Sequence, residues 1–197
     1  MTYRLLVTDE IDPEGVELLR AVPEFQIDVV PTLPVPELLL RIGDYDAIVG
    51  RSATKISEAV LRNGKRLRVV GRAGVGIDNI AMDVATELGI AVINAPGGNT
   101  VAVAELFFGA VIGLLRHIPQ ADHSMHEGRW DRTAFMGSEL RGRTLGIVGL
   151  GRIGTAVALR ARAFGITLIA YDPYIATARF AAVGVTPVSY THLRAHE

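Results

Sequence analysis

Five short apolar runs rich in β-branched residues recur at an even pace through the first half of the chain: RLLVTD (4–9), FQIDVV (25–30), YDAIVG (45–50), LRVVG (67–71) and IAVIN (90–94). Between them lie segments that suit helices, PEGVELLRAV (13–22), PELLLRI (36–42) and MDVATEL (82–88). Strands joined through helices run parallel, because a parallel return needs a crossover long enough to span the sheet. Several runs are apolar almost throughout, as strands are when helices cover both faces. The fold class is therefore α/β. At 197 residues, 49% hydrophobic and 21% charged, the chain has the size and balance to bury such a core.

The rhythm breaks at NAPGGN (94–99), where two glycines and a proline precede a long apolar stretch, Val101 to Arg116. That stretch is predicted to be a helix that Pro119 ends or kinks. QADHSMHEGRWDRTAFMG (120–137) is polar and reads as a helix and a connecting loop, and the strand-helix alternation resumes at TLGIVGLG (144–151). A boundary near residues 95–100 follows, giving one domain over 1–98 and a second over 99–188. No solenoid-type repeat and no low-complexity tract interrupts either.

LGIVGLGRIG (145–154) places Gly149, Gly151 and Gly154 in a G-x-G-x-x-G pattern. The first glycine permits a tight turn, the second lets backbone approach a pyrophosphate, and the third lets helix pack closely on strand. TLGIV before it reads as a strand, RIGTAVALRARAF after it as an amphipathic helix, and ITLIAYD as the next strand. The helix N-terminus offers free N–H groups and the positive end of a dipole to phosphate. Asp172 ends the second strand 23 residues after Gly149, near the spacing of about 20 at which an acid holds the adenosine ribose. A carboxylate there accepts from a 2′-hydroxyl and repels a 2′-phosphate, which favours NAD over NADP. The competing reading is a plain α/β turn in which Asp172 caps the next segment.

Two arginines fall at carboxyl ends of strands in the first half, where parallel sheets gather ligands. Arg51 and Ser52 follow YDAIVG, and Arg72 follows LRVVG, opening the glycine-rich turn Gly71-Arg72-Ala73-Gly74-Val75-Gly76. Guanidinium forks suit carboxylate and phosphate, and the turn's N–H groups can converge on an anion. The alternative pairs these arginines with local acids such as Asp46 or Asp78. Asn99, at the start of the long helix, reads equally as an N-cap.

A formal net charge of −1 supplies no global basic field for nucleic acid or an anionic membrane. The absence of cysteine excludes disulfides and thiolate metal sites. MTYRLLVTDEIDPEG has no signal-peptide pattern, and the apolar run Val101–Leu115 contains Glu105 and is too short to span a bilayer. A cytoplasmic, soluble protein is expected. His123 and His126 have no third ligand at sensible spacing, so no metal is expected.

Taken together, IVGRSATKI (48–56), LRVVGRAGVGIDNI (67–80), INAPGGNTVAVAEL (93–106), GRWDRTAFMGSELRGRTLGIVGLGRIG (128–154) and AFGITLIAYDPY (163–174) resemble the D-isomer-specific 2-hydroxyacid dehydrogenases, in that family's order and spacing. The resemblance implies a flavodoxin-like substrate domain and a Rossmann NAD-binding domain with the active site in the cleft between them. It implies oxidation of a small anionic D-2-hydroxy acid with hydride passed to NAD, 3-phospho-D-glycerate to 3-phosphonooxypyruvate in serine biosynthesis first among the reactions. Glycerate, hydroxypyruvate or lactate chemistry is the alternative, and a non-catalytic NAD-sensing binding protein a more distant one. Matched motif by motif, Arg51, Ser52 and Arg72 would bind the substrate and the backbone of Gly74, Val75 and Gly76 its carboxylate. Asn99 would line the cleft, and Val75 would also meet the cofactor. Arg152 and Ile153 would meet the pyrophosphate by main chain, beside Gly149, Gly151 and Gly154, and Asp172 would hold the ribose. Val75 stands where many relatives carry threonine, so only its backbone role transfers. A homo-oligomer is expected of the full-length protein.

The family's catalytic arginine, glutamate and histidine match nothing here. None of His117, His123, His126, His192 and His196 lies in a matching motif, and all three catalytic groups are expected beyond residue 197. SYTHLRAHE (189–197) departs from the family pattern and is expected to be a non-native tail on an incomplete, inactive fragment whose second half folds poorly.

Overall fold

The computed structural model describes residues 1–194 and divides into two compact units, Met1–Gly98 and Asn99–Glu197. In the first unit β1 (Tyr3–Val7), α1 (Pro13–Arg20), β2 (Phe25–Val29), α2 (Val35–Arg41), β3 (Ala47–Gly50), α3 (Glu58–Asn63), β4 (Val69–Arg72), α4 (Met82–Glu87) and β5 (Ala91–Asn94) follow in order. All five strands pair in parallel, in the order β2-β1-β3-β4-β5. This is the flavodoxin-like arrangement. Leu6 and Val7 point to opposite faces and both are fully buried, so helices cover the sheet on two sides. Leu38, Ile42, Val60, Leu61, Ile80 and Ile90 close the core over Leu6, Ile48 and Val70.

Local chemistry sets the helix ends. Asp12 caps α1 by accepting from the Glu14 N–H at 2.9 Å, with Pro13 in the first turn where its missing N–H costs nothing. The sequence passes over α3, because EAVLRN is too short to display a helical period; burial of Val60 and Leu61 under the core stabilises it.

The second unit comprises α5 (Thr100–Leu115), α6 (Ile118–His126), β6 (Thr144–Val148), α7 (Arg152–Ala161), β7 (Thr167–Tyr171), α8 (Thr177–Val183), β8 (Thr186–Pro187) and α9 (Tyr190–Arg194). The strands form a parallel sheet ordered β6-β7-β8, half of a Rossmann arrangement. Ala104 and Phe108 of α5 join Ile147, Leu150, Val157, Ala158, Leu168 and Phe180 in a separate core. Phe108 stacks on Phe164 at 5.0 Å. Among the described residues no strand pairs with the outer edge of β6, and Val148 at its end is 67% exposed. The tail, patterned as nothing in the sequence, supplies α9, whose Leu193 lies against Gly146 while Tyr190 meets the Tyr171 ring at 5.5 Å. The rest of that tail, 195–197 with His196, lies outside the described residues.

α5 stops at Leu115, four residues before Pro119, where a proline ring would clash with the carbonyl of a continuing helix, so the expected end or kink is present. The break falls at His117, whose backbone is left-handed (φ 54°), and Pro119 sits in the first turn of α6, bent 63° from α5. Proline lacks only an N–H that has no partner in a first turn, so it opens the second helix. Among the described residues no single helix is long and apolar enough to cross a membrane.

Candidate functional site

In the first unit the chain leaves β1 for β2 on one side and returns to β3 on the other. Such a reversal opens a crevice at the carboxyl ends of the two strands. Asp9 lies two residues beyond β1, Arg51 directly follows β3, and Arg72 ends β4, in register with Gly50 and Asn94. Arg51 and Ser52 are exposed and Arg72 is partly buried. Neither arginine has a carboxylate partner among the described residues. The pairing with Asp46 considered from sequence does not form, because Asp46 bonds Arg66 at 2.9 Å and the Arg4 N–H at 2.9 Å. Asp78 instead places Oδ1 against Gly76.

The arginines are held by other groups. Arg72 Nε donates to Asn79 Oδ1 at 3.2 Å, and its Nη1 to its neighbour's carbonyl, Ala73, at 3.0 Å. A side chain at Gly74 would collide with that guanidinium, so glycine there makes the folded-back rotamer possible. Asn79 Nδ2 donates to the Arg51 carbonyl at 2.9 Å and the Thr54 carbonyl at 2.8 Å. Arg51 itself reaches the Glu10 carbonyl at 3.1 Å.

Beneath this lies Asp9, 7% exposed and in a left-handed backbone (φ 64°). Its carboxylate accepts from the Arg51 N–H at 2.6 Å, the Thr54 N–H at 3.1 Å, and the hydroxyls of Thr54 and Thr32 at 2.6 and 2.7 Å. Burial raises its pKa, but these four bonds together outweigh burial and hold it below the ordinary carboxylate value. Asp9, Thr54 and Asn79 escape sequence reading because polar residues at strand ends resemble ordinary turn residues. The available signal was position, since all three lie at or just past the carboxyl edge that the strand pattern defines.

Of the three turn N–H groups, that of Gly74 is spent on the Arg72 carbonyl at 2.7 Å. Those of Val75 and Gly76 take no protein partner among the described residues. Asn94 pins the Val75 carbonyl at 2.7 Å, and the Ala95 N–H pins that of Gly74 at 2.9 Å, so the loop is fixed from below.

The second unit holds the glycine loop. Gly149 has φ 89°, a left-handed conformation that disfavours any side chain, and its N–H bonds the Tyr171 carbonyl at 2.8 Å. A side chain at Gly154 would collide with the Gly149 carbonyl oxygen and crowd Ile147, which is the close packing the third glycine permits. Gly151 has nothing within 4 Å of where a Cβ would stand. It leaves open space above the start of α7, where Arg152 and Ile153 are exposed. Among the described residues the N–H groups of Arg152, Ile153 and Gly154 take no protein acceptor, and no acidic side chain sits in that first turn. Asp172 accepts from the Leu150 N–H at 2.8 Å and the Tyr174 N–H at 2.9 Å. It therefore both ties down the loop and caps the next segment, and a carboxylate with about four acceptor sites retains capacity for a hydroxyl donor. These residues fit a dinucleotide: open N–H groups for phosphate, no side chain in the way, and an acid at the next strand's end.

Asn99 begins the second unit at the N-cap position of α5, but its side chain makes no capping bond. Arg51, Ser52, Arg72 and Gly74–Gly76 are thus brought together in one unit, and Gly149–Gly154 with Asp172 in the other. His123 and His126 lie exposed on α6 beside Glu127 and Asp122.

Two parallel α/β units, the second opening on a glycine loop that fits a dinucleotide, are the class of architecture that this chain defines. The family model for D-isomer specific 2-hydroxyacid dehydrogenase, catalytic domain, matches residues 5–192, and the chain belongs to that family. It is similar to D-3-phosphoglycerate dehydrogenase of Synechocystis, 45% identical over 185 residues (94% of this chain, 33% of that one). The Methanocaldococcus jannaschii protein of the same name is 48% identical over 172 residues (87% and 32%). The chain spans about a third of the length of these relatives. Among solved structures, the TT0316 protein of Thermus thermophilus aligns with TM-score 0.85 at 29% identity (96% of this chain, 61% of that one). A D-lactate dehydrogenase from Aquifex aeolicus, complexed with NAD and lactic acid, aligns at 0.82 and 25% identity (96% and 57%).

Proposed function

We propose that this chain carries the substrate-recognition unit and the first half of the cofactor unit of an NAD-dependent dehydrogenase acting on 3-phospho-D-glycerate. The observation that carries the reading is the pair Arg51 and Arg72, two guanidiniums that have no carboxylate partner among the described residues, at the crevice end of a β2-β1-β3-β4-β5 sheet. One arginine answers a single carboxylate; two beside the open N–H groups of Val75 and Gly76 answer a substrate with a carboxylate and a phosphate. Ser52, exposed beside Arg51, adds a neutral polar group for a hydroxyl.

NAD, when bound, supplies the hydride acceptor. The residues here bind and orient: the α7 N-terminus and Gly151 receive pyrophosphate, and Asp172 takes ribose hydroxyls and disfavours a 2′-phosphate. Oxidation of the alcohol also needs a base for the hydroxyl proton and a cation at the developing carbonyl. We assign neither to these 197 residues, so the chain is expected to bind ligands without turnover. A homo-oligomeric, cytoplasmic parent fits this reading, with Leu106 and Leu114 of α5 exposed at 72% and 74%.

The test is calorimetric titration of the chain with 3-phospho-D-glycerate, D-glycerate and D-lactate, each with and without NADH. Binding that needs both anionic groups supports the phosphorylated substrate. Equal affinity for D-lactate would move the assignment to a monoanionic D-2-hydroxy acid, and NADH formed when the chain alone is given NAD and the hydroxy acid would refute the expectation of binding without turnover.

A further inference from the structure

Two arginine side chains on separate loops bind a small dianion well only if the loops and one guanidinium are fixed beforehand, since ordering a long side chain at the moment of binding costs affinity. One side chain joins them. The amide of Asn79 accepts from Arg72 Nε and donates to the carbonyls of Arg51 and Thr54. Its oxygen thus addresses one anion-binding residue and its nitrogen the loop that bears the other. Asp9 grips the same loop from the buried side through the N–H groups of Arg51 and Thr54. The strand bridge between Ile56 and Ile80 closes the frame behind them.

We infer that Asn79 is a positioning residue of the anion site, setting the direction of the Arg72 guanidinium and the height of the Arg51 loop. This rests on the reading of Arg51 and Arg72 as the anion site. Asn79 acts on the anion through these two arginines and not by contact of its own. Aspartate, though isosteric, would face two carbonyl oxygens with acceptors only, and leucine or alanine would release both loops.

The test is a double-mutant cycle on the 197-residue chain, with 3-phospho-D-glycerate as probe and calorimetric Kd as readout, across wild type, Asn79→Ala, Arg72→Ala and the double variant. Asn79→Ala is expected to weaken binding by about tenfold or more, the scale of losing a hydrogen bond to a charged group. In the Arg72→Ala background the same change is expected to cost clearly less, because the part exerted through Arg72 is already gone. Full additivity, the signature of a general structural role, would overturn the inference, as would wild-type affinity in Asn79→Ala. If Arg72→Ala itself binds like wild type, the anion-site reading fails, and the positioning inference with it. A second measurement does not depend on the variants folding: the Arg72 Nε–H in the unliganded wild-type chain should give a resolved, slowly exchanging nuclear magnetic resonance signal. A signal averaged like that of a free arginine would overturn the claim.

Discussion

Replacing Gly154 and Gly151 in turn by alanine separates two reasons for glycine within one loop. A methyl group at Gly154 would collide with the Gly149 carbonyl oxygen and stand 3.3 Å from Ile147 Cγ2. The main obstacle is backbone, which cannot swing aside as a flexible side chain can. Overpacking of this kind costs about 1–3 kcal/mol. Alanine's better helix propensity, near the start of α7, returns less than about 1 kcal/mol. A net loss of about 1–2 kcal/mol is expected, and in a unit of just under a hundred residues that lowers Tm by roughly 4–16 °C. At Gly151 a methyl group meets nothing within 4 Å and φ is −71°, so Tm should move by no more than a surface substitution allows, within about 0.5 kcal/mol. If the loop receives a pyrophosphate, though, that methyl stands in the phosphate's approach, and NADH affinity should fall by about tenfold or more. Thermal unfolding by circular dichroism and NADH titration by fluorescence read the two effects. A Gly154→Ala variant that melts with wild type would refute the packing argument. A Gly151→Ala variant that binds NADH normally would refute the role given to the open space.

Asp9→Asn should destabilise the first unit by about 2–4 kcal/mol at pH 7, since an amide cannot accept all four bonds and leaves buried donors unpaired. Because folding lowers the Asp9 pKa, its contribution is present above the ordinary value of 3.8 and is lost as pH falls below it. Urea midpoints at pH 7 and pH 3 should therefore differ less in Asp9→Asn than in wild type; an unchanged difference would remove Asp9 from the acid transition. Leu38→Ala, at a side chain 1% exposed, should cost about 2–5 kcal/mol by urea denaturation, and a loss below 1 kcal/mol would mean that the core collapses onto the gap. Leu106→Glu with Leu114→Glu should lower the sedimentation mass of any oligomer without changing the far-ultraviolet spectrum, and an oligomer that survives both would place its interface elsewhere.

The parallel sheets were legible because burial on both faces forces continuous apolar runs, and β1, β3 and β4 carry them. α3 was not, since six residues cannot show a period; the break after α5 was legible through Pro119, but the left-handed backbone at His117 that makes the turn was not. Arg51, Arg72 and the three loop glycines stood out by position after strands. The groups that hold the arginines did not, because Asp9 and Asn79 come from two other loops to the backbone of the Arg51–Thr54 loop and meet it only once the chain has folded. Asp172 shows the opposite limit: two readings framed as rivals, ligand and cap, turn out to be compatible in one carboxylate.

The edge of β6 that no strand pairs among the described residues has a meaning for assembly as well as for stability. A parallel strand edge with free N–H and C=O groups, next to an ordered glycine loop, is a template on which a second polypeptide can complete the sheet. Pairing of that kind is second order in concentration, so it would show as a mass that rises as the protein is concentrated.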